Sequence, residues 1–200
     1  ILLSQGEKIF KIDTSTAWAS GSDNQDKIQH TWEFSDSKDF NNAATSEQLR
    51  INAITILPAG SRAYGALHYV NVGDQYNIND VREMNAFAVL DLQTLGQPNF
   101  TTLSGVPNVG NNIHPYFVNA APDSSGVYGA NTHGGLDLVW RVPVSGPQTH
   151  LPVDDWTTTP DQHGPYTNAV LSGNGSRYFT TYNSGNGTYF KVHDTTGGTI

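Results

Sequence analysis

The chain has 200 residues with ten Lys and Arg against 18 Asp and Glu, so its net charge is −8. It contains no basic run, and an acidic chain repels phosphate backbones and anionic lipid headgroups, so we expect no nucleic-acid partner and no membrane partner. The absence of cysteine excludes disulfides and thiolate metal sites. Only 14% of the residues are charged, and the many Gly, Asn, Ser and Thr residues favour an all-β chain.

Four segments along the chain contain an alternating apolar run followed by a turn of small residues. They are Glu7–Thr16, Ala86–Thr94, Leu136–Gly146 and Thr188–Gly198. Their first turn residues are Asp13, Asp91, Pro143 and Asp194. The intervals between these residues are 78, 52 and 51, and a period of about 50 residues is typical of β-propeller blades. The longer first interval predicts a polar insertion at Asp23–Gln48.

A hairpin precedes each of the last three runs, with inner strands predicted near residues 51–57, 115–121 and 168–172. Short strands at regular spacing also suit a β-sandwich, but the recurrence of the whole pattern favours a propeller. We therefore predict one partial β-propeller domain over residues 1–200, built of four-stranded antiparallel blades. About three and a half blades are present, and almost no helix is expected outside the insertion.

One part of the repeat resembles a known superfamily. Asn112-Ile113-His114-Pro115-Tyr116, leading to Ala121–Asn131, is similar to a blade of the YVTN and lactonase-like (carboxymuconate cyclase-like) propellers. His163-Gly164-Pro165 and the segment Gly173–Phe179 repeat that pattern, and the resemblance covers roughly residues 50–200. It implies a ring of seven blades, which a chain of 200 residues cannot close. We expect either a portion of a longer protein or a half-ring that another chain completes.

Connections into the inner strands and loops after the second strands share one face of a propeller, where ligands generally bind. This rule assigns five of the seven histidines to that face. They are His30, His68, His114, His133 and His163. His114 and His163 immediately precede inner strands, so we predict that they and Arg82 are the catalytic candidates, with imidazole transferring protons near neutral pH. The alternative is a structural role, in which these imidazoles form hydrogen bonds with the backbone of a neighbouring blade.

The remaining candidates are ligand contacts. His30, His68 and His133 are predicted to bind ligand, and Trp32 and Trp156, in polar loops, are predicted to stack on a sugar or an aromatic group. No nucleophile elbow, HExxH helix, phosphate loop or EF-hand loop occurs. We predict no cofactor, and the sequence identifies no metal site.

Two functions remain open at this point. The resemblance implies a lactonase or cycloisomerase acting on a small polar molecule in the central pocket. A non-catalytic sugar-binding, lectin-like or surface propeller is the alternative, since neutral sugars suit an uncharged rim with amides and Trp. Three sequons, at Asn99, Asn174 and Asn186, favour a secreted glycoprotein.

Overall fold

A computed structural model describes ten stretches of the chain. They are residues 1–5, 8–15, 24–33, 47–71, 86–102, 115–131, 139–146, 149–150, 166–184 and 187–196. Within these stretches the chain forms strands and a single 3₁₀ turn, Gln25–Lys27. The structural statements below concern these residues.

The strands form four antiparallel sheets that follow one another along the chain. Sheet 1 contains β1 (Leu2–Gln5), β2 (Lys8–Ile12) and β3 (Ile28–Glu33). Sheet 2 contains β4 (Glu47–Ile56), β5 (Arg62–Asn71), β6 (Ala86–Asp91) and β7 (Asn99–Thr102). Sheet 3 contains β8 (Pro115–Ala120), β9 (Gly126–Asn131), β10 (Val139–Pro143) and β11 (Thr149–His150). Sheet 4 contains β12 (Tyr166–Leu171), β13 (Arg177–Ser184) and β14 (Gly187–Asp194).

Each sheet is a meander in which sequential strands pair, and the sheets are the blades of a β-propeller whose ring is not closed. The first strands of sheets 2 and 3, β4 and β8, contact each other across neighbouring blades, and β8 likewise contacts β12. These strands are the inner strands. The predicted all-β propeller is confirmed, and β4, β8 and β12 confirm its three predicted inner strands. The predicted repeat is confirmed as well, since Asp91, Pro143 and Asp194 each end the third strand of a sheet.

The hydrophobic core lies between consecutive sheets rather than within one sheet. Sheets 2 and 3 enclose a cluster that includes Phe87, Val118 and Trp140, and two further clusters fill the neighbouring interfaces. In both middle sheets the two sides of the strands are buried, since Ala63, Tyr64 and Ala66 of β5 are all at most 2% exposed. Burial on both faces explains why the third-strand runs are apolar over several successive residues.

The predicted insertion at residues 23–48 requires correction. The structure places the 3₁₀ turn and the complete strand β3 inside it, and β4 begins there as well, at Glu47. The strand was missed because β3 is an edge strand with polar residues on its uncovered side, including Thr31 and Glu33. Such a strand lacks the continuous apolar run that marks a buried strand.

Candidate functional site

All three inner strands carry the same irregularity, at the second residue of β8 and β12 and at the sixth residue of the longer β4. The register shifts between Ile51 and Ala53 in β4, between Pro115 and Phe117 in β8, and between Tyr166 and Asn168 in β12. The extra residues are Asn52, Tyr116 and Thr167. Ala53, Phe117 and Asn168 pair with the fifth residues of β5, β9 and β13, so the bulges occupy equivalent positions.

The ligand rim is formed by the connections into the inner strands and the loops after the second strands. The bulges of β8 and β12 lie at the strand end that borders this rim, and the bulge of β4 lies five residues inside that end. A bulge bends the strand, strengthens its twist and redirects a side chain, and bulges are frequent beside active sites. We therefore take Asn52, Tyr116 and Thr167 as additional candidates for this site. These three residues carry no recognisable sequence signal, because a bulge is defined by the pairing with the partner strand and not by the residues of the bulged strand.

The second strands end at the same rim. His68 lies three residues before the end of β5, as predicted, and its Cα partner in β4 is Arg50. Further toward the rim, Leu49 pairs with Tyr69, Gln48 with Val70 and Glu47 with Asn71. The backbone register thus brings a histidine, an arginine and a carboxylic acid to this edge of sheet 2.

Several predicted site residues lie outside the described part of the chain. They are His114, His163, Arg82, His133, Trp156 and the sequon residue Asn186. The strand that follows His114 begins at Pro115, and the strand that follows His163 begins at Tyr166. Their predicted roles stay predictions.

His30 and Trp32 occupy a different place from the one predicted. Both lie in β3 and not in a connection between blades. The Trp32 side chain is 2% exposed, and its indole Nε1 donates a hydrogen bond to the Gly96 carbonyl oxygen of sheet 2 at 2.9 Å. His30 packs against it edge to face, with ring centroids 4.6 Å apart. The stacking role predicted for Trp32 is therefore corrected, because an indole buried in the core has no face left for a ligand.

A buried polar group lies on the side of sheet 4 that faces sheet 3. The Thr180 hydroxyl and His193 Nε2 are 3.1 Å apart, and His193 is 7% exposed. On the same interface, Asn119 Nδ2 donates to the Tyr178 hydroxyl at 3.0 Å and to the Ala169 carbonyl oxygen at 3.3 Å. Burial raises the pKa of Tyr178 well above its ordinary value. These bonds satisfy polar atoms inside an interface, so the group is structural.

The opposite face of the propeller carries the tight turns. Asp13, Asp91, Asp123 and Asp194 each accept, through Oδ1, the backbone N–H two residues further on, at 2.8–2.9 Å. Hydrogen bonds hold the pKa of all four carboxyls below the usual value of 3.8. The largest contribution comes from the N–H two residues further on at Asp13 and Asp123, from the Thr94 N–H at Asp91 and from the Thr196 hydroxyl at Asp194. Side chains that cap turns are poor candidates for proton transfer, so the acids of this face belong to the fold.

The described residues include no group of three or more His, Asp or Glu side chains that could hold a metal ion. Within the same stretches, no helix is long and apolar enough to cross a bilayer. Two sequon asparagines are described: Asn99 is exposed at the start of the outer strand β7, and Asn174 is exposed in the turn between β12 and β13.

Comparison with known proteins agrees on the fold. No protein-family model and no curated protein sequence matches the chain. Among solved structures it is similar to the Myceliophteria thermophila Cps50 (Swd1) β-propeller domain, with a TM-score of 0.55 and 10% identity over 96% of this chain and 49% of that one. Kuenenia stuttgartiensis hydrazine synthase gives a TM-score of 0.50 and 14% identity over 90% of this chain and 40% of that one.

A Bacteroides fragilis protein assigned provisionally as a 6-phosphogluconolactonase also matches, with 11% identity over 92% of this chain and 62% of that one. Its TM-score is 0.36, which is too low to support a conclusion about fold or function. The chain spans less than half the length of the first two structures. Identities this low show the fold alone, and the fold that they show is the β-propeller.

Proposed function

We propose that the chain binds a small polar molecule at the ligand rim, in the manner of a lactonase-like or cycloisomerase-like propeller of the secreted class. The observation that carries the proposal is the bulge repeated at the same position of β4, β8 and β12. A regular sheet does not need three equivalent distortions in its inner strands, and bulges are frequent beside binding and active sites.

The rim residues have suitable chemistry for this task. His114 precedes the first residue of β8 by one position, and Tyr116 is the bulge residue of that strand. An imidazole beside the axis supplies a general base near neutral pH, and Arg82 supplies a positive charge for an oxyanion or an acidic substrate. His163 takes the matching place before β12.

The experiment compares His114→Ala and His163→Ala with His150→Ala, which makes the same change in the outermost strand β11. Hydrolysis of a panel of sugar lactones and aliphatic lactones is followed by proton release at constant pH. We expect the two rim variants to lose about 10²-fold or more in rate while His150→Ala keeps the parent rate. All three should keep melting temperatures within a few degrees of the parent.

The competing function is sugar binding without chemistry, which the Asn residues and Trp156 of the predicted rim loops favour. A glycan array together with calorimetric titration of the hits distinguishes the two. Saturable sugar binding without lactone turnover supports the lectin-like alternative. Neither turnover nor binding, or turnover that survives both rim substitutions, overturns the proposal.

A further inference from the structure

The outward face of sheet 4, the side turned away from sheet 3, is apolar and uncovered in the described structure. It carries Val170, Phe179, Phe190 and Val192, which the strand register places on one side. Phe190 is 61% exposed and Val170 is 53% exposed. The Phe179 and Phe190 rings stack with centroids 5.7 Å apart and an interplanar angle of 20°.

The same positions are buried wherever a following sheet is present. Phe190 pairs with Thr181 of β13 just as Phe87 pairs with Ala66 of β5, so the two phenylalanines are equivalent. Val139 takes the corresponding place in sheet 3, opposite Ala130. Phe87 and Val139 are both fully buried, at 0% exposure. The outward face of sheet 4 therefore has the form of one half of an inter-blade interface.

The residue that faces this position in the next sheet is matched to it by size. A Cβ added to Gly129, the fourth residue of β9, would overlap the Phe87 ring. A Cβ on Gly65, the fourth residue of β5, would lie 3.6 Å from Ile9 Cδ1 of sheet 1. At the interface between sheets 3 and 4, the fourth residue of β13 is Thr180, which is larger than glycine. The sheet 3 residue that corresponds to Phe87 is Val139, which is smaller than phenylalanine. A phenylalanine at this position thus calls for glycine across the interface.

Sheet 1 of a second copy of this chain offers the wrong surface for Phe190. Sheet 1 is the uncovered sheet at the other end of the described arc, and in it Leu3 pairs with Phe10 as Gly65 pairs with Ala88. Leu3 is 51% exposed and stands where the interface requires glycine. The glycines of sheets 2 and 3 are already covered by Ile9 and Phe87. Overpacked apolar contacts of this kind are destabilising.

We infer that the outward face of sheet 4 docks one further propeller blade whose second strand has glycine as its fourth residue, seated on Phe190. The occupant is not sheet 1 of a second copy. The inference concerns assembly of the ring and does not depend on the proposed lactone or sugar chemistry.

The chain itself supplies a defined probe. Asp91 and Asp194 end equivalent strands, so residues 92–143 can be fused in register after Asp194, in place of the last six residues. The fused segment brings a second Gly129 to face Phe190. The matched control is the same fusion with Gly129→Leu in the added copy only. Melting temperature and amide exchange of β14 are measured for both fusions.

We expect the glycine fusion to melt at least about 4 °C above the leucine fusion and to slow amide exchange in β14 about tenfold or more. Phe190→Ala in the glycine fusion should reduce that difference. Equal melting temperatures and equal exchange in the two fusions would overturn the inference.

Sedimentation velocity of the unmodified 200-residue chain tests whether a second copy of the chain covers the outward face of sheet 4. We expect a single monomeric species over a hundredfold range of concentration. A dimer that forms with concentration and is lost in Phe190→Ser would show that a second copy covers the face, and the inference would be wrong.

Discussion

At two positions between neighbouring blades, a glycine is required because the packing leaves little or no room for a side chain. Gly129 lies beneath the Phe87 ring, and Gly65 lies beneath Ile9 and Ile51, with Ile51 Cγ2 3.3 Å from the place a Cβ would take. A side chain at either position displaces an apolar neighbour in the core. Such cores are packed as densely as organic crystals, so a single methyl group is felt.

Gly129→Ala should lower the free energy of unfolding by about 1–3 kcal/mol, because the added Cβ overlaps the Phe87 ring. Urea denaturation measures the change. Gly173→Ala is the matched control, since a Cβ there meets nothing within 4 Å, and we expect less than about 0.5 kcal/mol from it. Equal losses at the two positions would contradict the packing argument.

Ser124 offers a second test at this scale. It has a φ of 61°, where the equivalent turn residues Gly60 and Gly175 have φ of 72° and 74°. Its Oγ accepts the Ala59 backbone N–H of the neighbouring blade at 2.8 Å. Ser124→Ala should cost about 1 kcal/mol, because it loses that bond and keeps the left-handed backbone. Ser124→Gly should be closer to neutral, since relief of backbone strain offsets the lost bond. A larger loss for glycine than for alanine in thermal unfolding would argue against this account.

The repeating element of this fold is the pair of turns that closes each blade on the face opposite the ligand rim. In each of sheets 2, 3 and 4 the residue after the third strand donates its N–H to the carbonyl of a serine that precedes the second strand. The three pairs are Leu92 with Ser61, Val144 with Ser125, and Thr195 with Ser176. In sheet 4, Arg177 adds an ion pair with Asp194 at 2.8 Å. These bonds tie the first hairpin of each of the three sheets to its own third strand.

The turn aspartates predict a pH dependence of stability. Their pKa values are lower in the folded chain than the usual 3.8, so the stabilisation is complete above that value and is lost as the pH falls through the lower folded values. We expect thermal stability to decline below about pH 4. Asp91→Asn keeps the accepting oxygen and should decline less steeply, as Asn174 already serves this purpose in sheet 4. Asp91→Ala should be less stable than the parent at neutral pH. If Asp91→Asn lost thermal stability with falling pH as steeply as the parent, the assignment would be contradicted.

At the scale of the whole molecule, the four sheets form an open arc. Large apolar side chains remain exposed on its two end faces, as Leu3 and Phe190 show. Ile56 of β4 is 40% exposed because sheet 1, in the described residues, has no inner strand to lie beside it. Surfaces of this kind mark interaction sites, and the glycine-seating blade proposed above would cover one of them.

Secretion is the remaining prediction at this scale, and glycosylation tests it. Asn99 and Asn174 are exposed, so expression in a secretory eukaryotic host should attach glycans that an amide-cleaving glycosidase removes. Intact mass before and after treatment gives the number of sites. Asn99→Gln and Asn174→Gln should each remove one glycan, and a protein that loses no mass in treatment would contradict the secreted assignment.

Sequence periodicity by itself determined the β-propeller fold, the inner strands and the equivalence of Asp91, Pro143 and Asp194, because strand alternation and turn chemistry are local properties. It did not locate β3, since an edge strand with one polar face resembles a loop. It also placed Trp32 on the ligand rim, although the alternation of His30 and Trp32 with Thr31 and Glu33 was a signal for a strand.

Only the tertiary structure decided which neighbour covers each face. The burial of Trp32 against sheet 2, the fit of Phe87 on Gly129 and the bulges at Asn52, Tyr116 and Thr167 all depend on a partner strand far away in sequence. Alternation within a strand states which residues share a side, but the contents of the opposing sheet come from another repeat. That is the physical reason why the blades could be predicted and the contacts between them could not.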